Sequence, residues 1–207
     1  MKLSVPKIAI GITVAISAFA LRATAQGLGL PLADNSLPMT AGFFSASGGF
    51  SYGHDLELYD LRANYSPTDF LRAFLDLGIA DMDTDSSPIV QAGALYPFKV
   101  GLPVDLAARA ALYTSFFNGD AEISGLNGML TASMELFYVG LYGYGGLGAN
   151  YMSTRDTDAE NVTTRDSSFD PAVVLGVLYS FSRDFSVYAE ISHIDGIISS
   201  AGLKYQY

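Results

Sequence analysis

The sequence contains no cysteine. Disulfides and thiolate metal sites are therefore excluded, as is a lipid anchor attached through an N-terminal thiol. A second absence concerns long apolar runs. Beyond the first 25 residues no stretch is long enough to cross a bilayer as a helix, which needs roughly 20 apolar residues. Entry into a membrane would have to use strands, because in lipid only helices and closed barrels satisfy every backbone polar group. Positive charge is the third shortage: 11 Lys and Arg face 21 Asp and Glu, for a formal charge of −10. Nucleic acid is thereby excluded as an expected partner.

The 207 residues suffice for one domain. Residues 1–25 read as a cleavable signal peptide: Lys2 and Lys7 open it, Ile8 to Leu21 is almost unbroken apolar sequence, and Ala23-Thr24-Ala25 places small residues before Gln26. The apolar run is too short for a spanning anchor. Its removal takes Lys2, Lys7 and Arg22 and leaves 8 basic against 21 acidic residues, a charge of −13. Residues 26–38, with Pro31 and Pro38, read as a periplasmic linker, and 39–207 as the folded domain.

From about Thr40 the chain repeats one unit, an alternation of apolar and polar residues ended by Gly, Pro, Asp, Asn or Ser. Period two means strands. In "ELYDLRANYS" Tyr59, Leu61, Ala63 and Tyr65 take one face while Asp60, Arg62 and Asn64 take the other. The same reading gives ten candidates: 40–52, 55–66, 69–81, 88–98, 103–116, 122–135, 138–152, 170–182, 184–194 and 196–207. A turn is required near Glu135 to Phe137, although no favoured turn residue stands there. The longest loop is expected over 153–169.

The placement of charge selects among β folds. In every candidate strand the face bearing the large apolar residues carries no charge. The opposite faces collect Asp60, Arg62, Arg72, Asp76, Asp105, Arg109, Glu135, Glu190 and Lys204. Isolated buried charges are costly, so a closed barrel with its apolar face outward would join these residues into a paired network. A Lys or Arg on the outer face at the bilayer midplane would cost ~2–4 kcal/mol. A soluble barrel reverses this arrangement, and a β-sandwich, the main structural alternative, buries its apolar face. The expected fold is thus all-β, a closed antiparallel transmembrane barrel in up-and-down order, with ten strands or alternatively eight.

Tyr52, Tyr59, Tyr65, Tyr96, Tyr151, Tyr179, Tyr205 and Tyr207 fall near strand ends on the apolar face, as an interfacial girdle would. Tyr138, Tyr142 and Tyr144 are expected to point inward over glycines. Most remaining charges are acidic and gather in the loops of one end. There "DMDTDSS" spaces Asp81, Asp83 and Asp85 like the first ligands of a calcium loop. It lacks the required Gly, where Ser86 stands, and the closing Glu, where Ala92 stands, which rejects an EF-hand. A diffuse divalent-cation site is the alternative reading. No phosphate loop, dinucleotide fingerprint or nucleophile elbow is present, and no cofactor is expected.

This architecture resembles the small outer-membrane β-barrels of Gram-negative bacteria, the group that includes the OmpA transmembrane domain, OmpX and OmpW, although those named members have eight strands. The most specific element is the C-terminal "GLKYQY". Gly202, Leu203, Tyr205 and Tyr207 resemble the signature that such barrels present to the assembly machinery. The resemblance implies residence in the bacterial outer membrane, contact with its lipid and lipopolysaccharide, and a structural or surface-interaction role rather than an enzymatic one. A narrow channel for small solutes is the alternative. A third reading is a lipid-modifying hydrolase. "SHIDG" resembles the His region of lipid A deacylases, but Asp195 stands where those enzymes have Ser, and Ser199 and Ser200 lie on the next strand.

Overall fold

The computed structural model describes residues 30, 32, 36, 40–53, 56–82, 85–98, 100–101, 103–117, 121–157, 163–194 and 196–207. The expected signal peptide lies outside them. The described residues form ten strands: β1 Phe44–Gly53, β2 Leu56–Thr68, β3 Leu71–Met82, β4 Asp85–Phe98, β5 Asp105–Phe117, β6 Ala121–Glu135, β7 Leu141–Thr157, β8 Thr163–Ser180, β9 Phe185–Ile194 and β10 Ile197–Gln206. Each pairs antiparallel with the next, and β10 returns to β1, so the sheet closes. Closure extends to the last residue. Tyr207 N–H donates to Phe44 O at 2.9 Å, and Phe44 N–H donates back at 3.4 Å. No edge is left to pair with another chain.

Period two governs which side chains meet the interior. Along β2, Tyr59, Leu61 and Tyr65 are 52, 69 and 51% exposed, while Asp60, Arg62 and Asn64 between them are 5% or less. The same alternation holds along β9, where Ser186, Tyr188, Glu190 and Ser192 face inward and Phe185, Val187, Ala189 and Ile191 outward. Strands of 10 to 18 residues meet or exceed the span a bilayer requires, about 9–11 tilted residues. Among the described residues no helix is long and apolar enough to cross.

Three local expectations change. The 153–169 segment is mostly strand: β7 and β8 stay paired from Leu141↔Tyr179 out to Thr157↔Thr163, leaving only 158–162 outside the description. Its Ser and Thr residues favour extended backbone, but with both faces in water there is no apolar alternation to read. Second, the awkward joint falls at 136–140 rather than 135–137. Gly140 leaves the turn at φ +80, a conformation that side chains resist, and Leu136 N–H donates to Leu141 O at 2.7 Å. Tyr138 sits in this turn and is exposed, whereas Tyr142 and Tyr144 keep the inward phase.

The third change concerns residues 26–38. Leu30, Leu32 and Ser36, the described members of this expected linker, are buried inside the barrel. Leu30 joins Leu56, Leu58, Ile89, Tyr113 and Ile198 at the end where β1 meets β2. Leu32 lies against Met129, Tyr144, Val174 and Leu178 in mid-lumen. A ten-stranded wall encloses more space than its own side chains fill, and two leucines with their backbone take up the remainder.

Candidate functional site

The lumen is the chemically dense part of the molecule. On β2 and β3 the inward phase sets Arg62 opposite Asp76 in register, which makes a two-pronged ion pair. Arg62 Nε lies 2.5 Å from Asp76 Oδ1, and Nη2 lies 2.8 Å from Oδ2. Gln91, across from Asp76 on β4, donates a further hydrogen bond to Oδ2 at 2.6 Å. Phe74 lies between two guanidinium groups, with Arg62 Cζ 5.0 Å and Arg109 Cζ 4.7 Å from its ring centre. Arg109 in turn donates to Asn127 Oδ1 at 2.8 Å. Cations over a desolvated ring are held more firmly than in water, so the ring contributes to seating both charges.

Opposite this charged wall, β6 to β9 line the lumen with Met129, Tyr144, Ala172, Val174, Leu178 and Tyr188. Glu190 is the carboxylate within that apolar surface. It accepts from Tyr144 Oη at 3.0 Å and from the backbone N–H of Leu32 at 2.9 Å. Arg62 Nη1 donates to the carbonyl of the same Leu32. One peptide residue thus bridges the two walls, its side chain on the apolar one and its carbonyl on the charged one. Lower in the barrel Ser36 N–H donates to Ser133 Oγ at 3.0 Å, and the Ser36 hydroxyl meets Thr131 Oγ1 at 2.8 Å. Among the described residues, Asp60 Oδ1, Ser47 Oγ and the Tyr188 hydroxyl are buried lumen groups with no hydrogen-bond partner.

Of the expected lumen charges, Asp60, Arg62, Arg72, Asp76, Arg109, Glu190 and Lys204 are 6% exposed or less. Asp105 keeps the inward phase but is half-buried at the rim. Glu135 is corrected: it is exposed, and Oε1 accepts the N–H of Gly140 at 3.1 Å in the following turn. β6 ends at that residue, so the inward phase there leads past the rim and not into the lumen. Gln91, Asn127 and Asn150 add buried amides to the polar lining, Asn150 donating to Tyr113 Oη at 3.0 Å. They carry the same inward phase in the sequence, but a search restricted to charged residues passes over them.

Asp81 is half-buried, faces Glu57 across the β2–β3 pair and accepts from Ser86 Oγ. Asp83 lies outside the described residues, and Asp85 opens β4 with its side chain outside the description. Among the described residues no group of three His, Asp or Glu is placed to hold a metal ion. His193 takes the outward phase opposite Val173 and Ile197. Ser200 faces the lumen and accepts from Ser51 at 2.8 Å, while Ser199 faces outward. In the C-terminal strand Leu203, Tyr205 and Tyr207 are exposed on the outer face and Lys204 is buried. Gly202 is a packing requirement: a side chain there would collide with Gly48 O and the Tyr188 hydroxyl.

Aliphatic side chains cover the outside and all eight girdle tyrosines lie on it, around an interior of ion pairs and amides. That inverts the soluble plan and defines a transmembrane β-barrel. Solved structures similar to the chain include bacterial outer-membrane proteins and other β-barrels. The N-terminal β-barrel domain of Pseudomonas aeruginosa OprF is 15% identical, covering 82% of this chain and 100% of that one, with a TM-score of 0.44. Ail, the attachment invasion locus protein of Yersinia pestis, is 13% identical over 81% of this chain and 100% of that one, with a TM-score of 0.35. The KdgM porin is 11% identical over 79% and 99%, with a TM-score of 0.42. No protein-family model and no curated protein matches the chain. The class therefore rests on this chain's own distribution of side chains.

Proposed function

We propose that the chain is an outer-membrane β-barrel of structural and surface-interaction type, shut along its axis, and not an open pore. The observation that carries this is the filling of the lumen. Arg62, Asp76 and Gln91 interlock on one wall, and Leu32 bridges from them to Glu190 on the other. Among the described residues, the void that Leu30 and Leu32 share with Arg109, Asn127 and Glu190 admits about one water molecule. In this reading the apolar outer face contacts lipid and lipopolysaccharide, and the acidic hairpin end faces the exterior, where divalent cations would offset its charge. The C-terminal strand, ending in Tyr205 and Tyr207, is the segment offered to the barrel-assembly machinery.

The test is electrical and biochemical together. The mature protein is expected in the outer-membrane fraction, to migrate differently before and after heating, and to give no current steps in a planar bilayer. Sustained conductance by the wild-type chain would sink the closed reading. A soluble product with heat-insensitive migration would sink the membrane assignment as well.

A further inference from the structure

Four consecutive apolar residues, Leu136, Phe137, Tyr138 and Val139, fill the turn between β6 and β7. Phe137 is 97% exposed, Val139 93% and Tyr138 74%. Turns between strands ordinarily carry Gly, Pro, Asn, Asp and Ser, and a run of exposed apolar residues in one marks a surface that something else covers. The strands alternate in direction, so this turn shares its end of the barrel with the β2–β3 and β8–β9 turns and with Tyr207. Those two turns carry polar residues. Asp69 accepts the N–H of Ala41 at 2.7 Å, and Ser182 Oγ accepts the N–H of Phe185 at 3.0 Å beside Arg183 and Asp184. Their aromatic residues, Phe70 and Phe181, lie against Tyr96 and Phe185. Phe137 and Val139 instead stand out from the wall.

What covers the tip follows from where it lies. Leu141 pairs directly with the girdle residue Tyr179, and a girdle tyrosine marks the headgroup level. Leu136 N–H closes the turn onto Leu141 O at 2.7 Å, so the apex stands no more than about 8 Å past that level at the rise of an extended chain. The headgroup layer is itself roughly 5–7 Å deep, and a soluble partner would have to displace lipid to reach the tip. The apolar surface also runs unbroken from wall to turn. Met134 is exposed on the outer face, and the Leu136 side chain lies over Gly143, where an added Cβ would meet it at 3.3 Å. Glu135, the charge at the root, takes the inward phase and faces the barrel mouth. Within the turn Leu141 N–H donates to Tyr138 O at 3.0 Å, Gly140 N–H to Glu135 Oε1 at 3.1 Å, and Gly140 O accepts from Ser180 N–H at 2.8 Å. Each backbone group satisfied in this way lowers the cost of leaving water.

We propose that the β6–β7 turn is a lipid anchor: Phe137 and Val139 enter the phospholipid leaflet at this end of the barrel, opposite the acidic hairpins, where headgroups meet acyl chains. Tyr138 keeps its hydroxyl among the headgroups. The anchor rests on the membrane assignment above and adds a lipid contact beyond the barrel wall. The polar β2–β3 and β8–β9 turns give no such hold, so it is the β6–β7 side of the barrel whose depth the anchor fixes.

The sequence has no tryptophan, so a single introduced indole reports its own surroundings. Phe137→Trp, Leu130→Trp on the outer face of β6 and Arg183→Trp in the polar β8–β9 turn are each refolded into phosphatidylcholine vesicles with and without bromine on the acyl chains. Heat-modifiable migration establishes that each barrel has folded. Bromine should quench Phe137→Trp nearly as strongly as Leu130→Trp and several-fold more than Arg183→Trp. If Phe137→Trp does not fold, Val139→Trp is read in the same way. Phe137→Asp with Val139→Asp should lower the fraction that inserts into vesicles several-fold, while Ser182→Asp leaves it unchanged.

Three results overturn the anchor. Quenching of Phe137→Trp no greater than that of Arg183→Trp places the turn in water, and insertion of the Asp pair at the wild-type level shows that lipid does not hold it. Emission that follows the protein-to-lipid ratio rather than bromination points to a second copy of the chain in place of lipid. Absence of quenching at Leu130→Trp is a separate outcome, which sinks the membrane assignment and the anchor with it.

Discussion

The lumen has two walls, and they are held by different physics. On β2 to β4 the charges and amides of Arg62, Asp76 and Gln91 satisfy one another around Phe74, whereas on β6 to β9 Met129, Tyr144, Val174, Leu178 and Tyr188 pack together, Tyr144 and Tyr188 over glycines, among the amides and hydroxyls of Asn127, Thr131, Asn150 and Ser192. A charge in low dielectric is stable only with its partner in place, so the first wall is specified pair by pair. The second wall is specified by volume, because a packed interior tolerates neither a void nor an added methyl. Leu32 touches both, which is why one residue of an irregular segment can close the space between them.

Arg62→Ala attacks the charged wall and carries the largest expected effect. Asp76 would be left in the lumen with Gln91 as its remaining described partner, and Phe74 would lose one of its two guanidinium neighbours. Removing one member of a buried pair costs about 3–5 kcal/mol. The loss should appear as a lower urea midpoint for the heat-modifiable form. The double variant with Asp76→Ala should recover part of it, because no uncompensated charge then remains. A single variant as stable as the wild type would show that water, not Arg62, balances Asp76.

Gly176→Ala attacks the other wall. The Tyr144 ring lies directly over Gly176, so an added Cβ would meet the ring, which must shift and pull its hydroxyl from Glu190. Overpacking of this kind costs about 1–3 kcal/mol. The urea midpoint of the folded form should fall by less than for Arg62→Ala. A second substitution, Tyr144→Leu, should relieve the clash. If Gly176→Ala alone is neutral, the apolar wall is looser than the charged one and the contrast between them fails.

How much of this was legible depended on whether a residue's environment repeats with the strand. Arg62, Asp76, Glu190 and Lys204 sit on alternating segments, and their phase alone placed them inside. The closing strand was legible for the same reason, since Ala201, Leu203, Tyr205 and Tyr207 keep one phase to the chain's end. Thr157 and Thr163 pair beyond the apolar region, where alternation has no physical cause and leaves no trace. Leu32 lies 158 positions from Glu190 and in no strand. Its two neighbouring prolines at 31 and 38 suggested a linker, and only the space left by ten closed strands gives such a segment an interior to occupy.

Glu135 supplies the smallest expected effect and the sharpest control on the comparison. By phase it belongs with Glu190, since both are inward-facing carboxylates in the sequence, yet it lies past the rim in water. Its hydrogen bond to Gly140 competes there with solvent, so Glu135→Ala should change stability by no more than about 0.5 kcal/mol. Glu190→Ala strips a buried N–H and a buried hydroxyl of their acceptor, at about 1–3 kcal/mol for each group left unsatisfied. The ratio of the two losses, read as urea midpoints of the folded form, measures how far burial rather than strand phase sets the worth of a carboxylate here. Equal losses would mean that the lumen around Glu190 is as wet as the rim, and the division into a paired wall and a packed wall would not hold.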